Sequence, residues 1–127
     1  NFETDKWAAR VERLNDGGFA IVGREIVNGN RYPMVIRTNV SGVERWRASY
    51  NLMGLEGFEG HGRFYGVTRG LDSSIIGVGV AVSDIEDHGQ FDALLMKLEP
   101  EVPMPMIFTL SQKTLFFQYC QRIRYNL

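Results

Sequence analysis

The chain reads as a single α+β domain: a mainly antiparallel sheet of roughly five or six strands, packed by amino- and carboxy-terminal helices. Three observations predict this. Apolar residues fall at helical spacing near both ends, short β-rich runs cluster between them, and 127 residues suffice for one core but not for two ordinary domains.

Thr4 to Asn15 is expected as the first helix, because Trp7, Ala8, Val11 and Leu14 make one stripe while Lys6, Arg10, Glu12 and Arg13 lie off it. Thr4 can cap it and Asn15-Asp16-Gly17-Gly18 can end it. Two strand-like runs follow, Phe19 to Val27 and Arg31 to Arg37, joined by Asn28-Gly29-Asn30, residues that tolerate the positive φ of a tight hairpin turn. Pro33 cannot donate a ladder hydrogen bond, which predicts an edge or a bulge at that point.

Residues 41–54 carry two patterns. Trp46, Ala48, Tyr50 and Leu52 alternate as on a strand, whereas Ser41-Gly42-Val43-Glu44 matches a helical capping box, with Val43, Trp46, Tyr50 and Met53 at helical spacing. The strand reading is preferred. Glycines at 54, 57, 60, 62, 66 and 70 predict a loop leading into a strand around Arg63 to Arg69. Ser74 to Ser83 is expected as a strand with a bulky face, Ile76, Val78, Val80 and Val82, and a small one, Gly77, Gly79 and Ala81, against which a helix could pack closely. Asp87 to Leu98 shows helical spacing of Phe91, Leu94, Leu95 and Leu98. Pro100, Pro103 and Pro105 then lead into an apolar strand at 106–110. Ser111 can cap a last helix striped by Leu115, Phe116, Tyr119, Cys120 and Ile123.

Composition excludes several classes. Fourteen Lys+Arg against fifteen Asp+Glu rule out a surface that is basic throughout, and a single cysteine rules out an internal disulfide framework. The cysteine usage fits the cytoplasm or another reduced compartment, although a bacterial envelope domain can also lack disulfides. The longest apolar or glycine run, Ile75 to Val82, is eight residues, far short of the roughly 20 that a membrane helix needs. No membrane span is expected. The first residue is Asn1 rather than Met, which leads to the expectation that this domain, 1–127, is a fragment of a longer chain or a processed product.

Candidate sites are few. His61 and Arg63 lie among the glycines and aromatics of Gly57 to Gly66, where backbone amides could approach an anion, but no phosphate-loop spacing is present. His88 follows Asp84-Ile85-Glu86-Asp87, a setting that favours helix capping by Asp87 over acid–base work by the imidazole. His61, His88 and Cys120 lack any metal-binding spacing, so neither a metal nor a cofactor is expected.

Charge is segregated. Arg31, Arg37, Arg45 and Arg47 against Glu44 leave residues 31–53 basic by three, residues 102–127 hold three cations and no acid, and residues 84–101 hold six acids with only Lys97. Such polarity points first to a non-enzymatic protein-binding or assembly domain, part of a larger complex, that engages a protein partner or a second copy. The alternative is a nucleic-acid-binding domain in which Arg45 and Arg47 flank Trp46, with Tyr50 beside them. A third reading is a small enzyme using His61 or His88. The candidate binding residues are therefore Arg45, Trp46, Arg47, Tyr50, His61, Arg63 and Tyr65, with no catalytic set.

Overall fold

Period-two alternation, not helical spacing, governs the chain. A computed structural model describes residues 5–51, 58–83, 91–111, 114–119 and 123–126, with side chains described over 5–51, 62–81 and 93–101. Ten strands run in order: β1 (Asp5–Arg13), β2 (Phe19–Val27), β3 (Asn30–Thr38), β4 (Glu44–Tyr50), β5 (Phe58–Arg69), β6 (Ile75–Ser83), β7 (Phe91–Glu99), β8 (Val102–Ser111), β9 (Thr114–Tyr119) and β10 (Ile123–Asn126). There is no helix among the described residues. The expected α+β domain with terminal helices is thus corrected to an all-β one.

Two antiparallel sheets result, ordered β1-β2-β3-β4-β10 and β5-β6-β7-β8-β9. Each of the first two runs of strands is a meander, and only β10 returns, pairing with β4 through Ile123 opposite Tyr50. The sheets share one core. Leu14, Ala20, Val22, Val35, Trp46, Ala48 and Tyr50 from the first meet Phe64, Ile75, Ala81, Leu94, Met96 and Leu98 from the second. β5 lies across β1, β2 and β3, which closes that side of the sandwich.

The helix expected at Thr4 to Asn15 is instead the edge strand β1, exposed along most of its length. An edge strand with one neighbour buries little, so Trp7 and Val11 remain at the surface and their spacing carries no core signal. The helix expected at Asp87 to Leu98 is β7 from Phe91 onward; residues 87–90 lie outside the described residues. Leu94, Met96 and Leu98 point into the core while Leu95 stands outside it, and that outer leucine produced the false helical stripe. The last expected helix is replaced by β9 and β10, with Cys120 outside the described residues. The glycine-rich stretch from Phe58 to Gly66 is strand rather than loop.

Other expectations hold. Phe19 to Val27 and Asn30 to Thr38 form the hairpin, turning on Asn28 (φ 51°) and Gly29 (φ 81°), the paired positive angles of a two-residue turn whose twist matches its strands. Residues 44–50 are strand, with Trp46, Ala48 and Tyr50 buried as the alternation required. Pro33 is on a central strand, not an edge. It is opposite Arg24, and the β3–β4 ladder begins one residue later with Met34 opposite Ser49, so the proline sits where that ladder ends.

β6 reverses the usual in-and-out order. Its small residues face the core: a Cβ at Gly77 would fall 2.9 Å from the Phe64 ring, and one at Gly79 would fall 1.9 Å from the Arg63 carbonyl oxygen. No helix packs on this small face among the described residues; the Phe64 ring of the neighbouring strand β5 covers Gly77. The bulky Val78 faces outward.

Candidate binding surfaces

Three turns gather at one end of the sandwich because consecutive antiparallel strands bring alternate connections together. Leu14–Gly18, Asn39–Val43 and Gly70–Ser74 are built alike. In each, the first residue's N–H donates to the last residue's carbonyl at 2.7–2.8 Å, and a positive φ falls at the fourth residue: Gly17, Gly42 and Ser73. This is a three-residue hairpin loop ending in a left-handed residue. Polar side chains brace each loop: Asp16 accepts from the Gly18 N–H, Asn39 from the Ser41 and Val43 N–H groups, and Asp72 from the Ser74 N–H and hydroxyl.

Side chains then tie the turns together. Arg69 donates to the Asn15 Oδ1 at 2.7 Å, and the Asn15 amide donates to the Ser73 hydroxyl at 2.5 Å. Arg37, only 1% exposed, reaches Asp16 at 2.5 Å and Glu101 at 3.5 Å and donates to the carbonyls of Thr38 and Pro100. Arg45 pairs with Glu101 at 2.8 Å and approaches Asp16 at 3.7 Å. Two guanidiniums thus meet two carboxylates, and the cluster is electrically balanced. The Arg37 hydrogen bond, followed by the Gly18 N–H, holds the Asp16 carboxyl below its ordinary range. Beside it lies an open cleft of about 150 Å³ lined by Leu14, Asn15, Asp16, Arg37, Ser73, Pro100 and Glu101.

A second surface is the outer face of the β5–β9 sheet. Val78 is 42% exposed and stands opposite Leu95, which is 37% exposed. Tyr65, 42% exposed, lies under the Arg63 guanidinium, 4.6 Å from ring centre to cation. The backbone register continues from Leu95 to Phe108 and from Phe108 to Phe117.

The residues expected to form one site are distributed between these places. Trp46 and Tyr50 are buried in the core, and the Trp46 indole N–H donates to the Pro100 carbonyl at 3.0 Å. Arg45 belongs to the balanced cluster, and Arg47 is bound to Glu44. Arg63 and Tyr65 are brought together on the other sheet. His61 lies on β5, with its side chain outside the described residues, as is all of His88. Arg37, Asp16 and Glu101 escaped notice as a group because their positions are 21 and 64 residues apart from Arg37; the available signal was the placement of Arg37 two residues after buried Val35.

No helix of the described residues is long and apolar enough to cross a membrane. No family model matches the chain, and comparison with curated proteins and solved structures finds no significant match.

Proposed function

We propose that this is a non-enzymatic binding or assembly domain that docks a protein partner or a second copy on the outer face of the β5–β9 sheet. One observation carries the reading: β6 turns Gly77 and Ala81 inward and Val78 outward, leaving Val78 and Leu95 opposite one another and partly exposed on the sheet that also carries the Arg63–Tyr65 pair. Exposed apolar residues together with arginine and tyrosine on one sheet match the composition that interfaces favour. The nucleic-acid alternative is supported less well, because Trp46 is buried and Arg45 and Arg47 are engaged by carboxylates.

The test is sedimentation across a concentration series, paired with a screen for protein partners, on the wild type and on Val78→Glu and Leu95→Glu. Association that weakens in both variants while their folding is retained supports the reading. A monomer at all concentrations that binds no partner and turns over a small molecule overturns it.

A further inference from the structure

Away from the three gathered turns, the first sheet carries a cation whose Nε has no hydrogen-bond partner among the described residues. Arg24 follows Val22 by two residues on β2, whose pairing with β3 is unbroken, so it shares the core-facing side with Val22 and Ala20. Its guanidinium carbon lies 5.6 Å from the centre of the Trp7 ring on β1, the residue directly opposite it. Its Nε is buried and, among the described residues, has no hydrogen-bond partner. A guanidinium is a fixed fork of five donors that cannot lose its charge, so an unanswered buried donor marks a place for an acceptor.

Among the described residues, the neighbouring acids do not answer it. Glu25, on the other face, accepts from the Ser49 hydroxyl and lies 3.8 Å from Lys6. Asp5 is two positions before Trp7 and opposite Ile26, diagonal to Arg24, yet forms no ion pair with it. Contrast Arg37, where every direction of the fork meets a carboxylate or a carbonyl.

We propose that Arg24 and Trp7 form an anion site that takes the carboxylate or phosphate of a small ligand, with the indole covering one side of the guanidinium. An oxyanion of either kind accepts two parallel N–H bonds from the two terminal nitrogens of the fork. This inference does not depend on the docking face, which lies on the other sheet.

Trp7 supplies the reporter, since it is 40% exposed and beside the cation whereas Trp46, the other tryptophan, is buried. Inorganic phosphate and acetate are titrated separately at constant ionic strength, with chloride as the balancing anion, while tryptophan emission is followed. The expected result is a saturable change with at least one of the two anions, absent with chloride, lost in Trp7→Phe and at least tenfold weaker in Arg24→Met. The arm that saturates tells phosphate from carboxylate. If Arg24→Met does not fold, Arg24→Lys serves, because it keeps the charge without the fork; a severalfold weakening supports the site and unchanged binding refutes it. No saturable response to either anion in the wild type, or a response that Arg24→Met leaves intact, overturns the proposal. So does saturation that appears only in Asp5→Asn, which would assign Asp5 as the internal partner.

Discussion

Arg37 and Trp46, opposite one another across β3 and β4, donate to the same carbonyl oxygen, that of Pro100. The Arg37 Nε does so at 3.3 Å and the indole N–H at 3.0 Å. One backbone oxygen after β7 thereby joins the two sheets at the end where the turns gather. Removing the indole tests that tie. Trp46→Phe is expected to cost about 1–2 kcal/mol through the lost hydrogen bond and smaller ring, and Trp46→Ala about 3–5 kcal/mol through the added cavity. Urea denaturation reads both, and a Trp46→Phe protein as stable as the wild type would count against a role for the Pro100 bond.

Asp16 is the shorter of the two carboxylate partners of the buried Arg37, at 2.5 Å against 3.5 Å for Glu101. Asp16→Ala leaves a guanidinium buried with one weakened counter-charge, and the expected cost is about 2–3 kcal/mol. In an Arg37→Met background the same change is expected to cost only about 1 kcal/mol, since the Gly18 N–H and the exposed Arg45 are the partners that remain. A double-mutant cycle measures the difference. Additive costs would mean that the two residues act independently.

Asp72 and Lys97 join the turn at 70–74 to β7 at 2.6 Å. The Lys97 hydrogen bond, with the Ser74 hydroxyl and N–H, holds the Asp72 carboxyl far below its ordinary value, and Asp72 in turn raises Lys97. For a carboxyl lowered in the folded state, the stabilisation is complete above the unfolded value and is lost as pH falls through the folded one. The melting temperature of wild type over Asp72→Asn should therefore be higher at neutral pH, with the gap narrowing below about pH 4. The gap itself is expected to be small because the pair is solvent-exposed. A gap that widens on acidification would refute the assignment.

Two glycines should respond differently to the same added methyl. At Gly79 a Cβ would meet the Arg63 backbone oxygen at 1.9 Å, so Gly79→Ala must push β5 away from β6, costing about 3 kcal/mol or more. At Gly29 there is nothing within 4 Å, and Gly29→Ala meets only the penalty of a positive φ of 81°, about 1 kcal/mol. Thermal melts of the two variants rank them. A Gly79→Ala protein as stable as Gly29→Ala would show that the strands are not packed at that distance.

Local chemistry carried the β2–β3 hairpin, the strand at 44–50 and the strand at 75–83. In each, turn residues or alternation act through near neighbours: Asn28-Gly29 selects the turn, and Trp46, Ala48 and Tyr50 share a face whatever lies beyond them. The readings failed where apolar residues sit outside the core. Leu95 on β7, and Trp7 and Val11 on exposed β1, broke the period of two and imitated a helix. The same outward residues that misled the reading of β7 belong to the proposed docking face.

What the sequence determined by itself is the set of short-range signals: one hairpin, several strands, the turn residues, and the segregation of charge along the chain. Tertiary structure alone decided which face of β6 is inner, because that depends on the side on which the other sheet packs, where Ile75 and Ala81 join the shared core. It also decided the fate of the arginines. Arg37 is buried and answered by Asp16 and Glu101, while Arg24 has, among the described residues, an aromatic neighbour and a buried donor without a hydrogen-bond partner. A guanidinium's partners come from whichever turns and strands the sheets bring beside it, and no local pattern in the chain encodes that meeting.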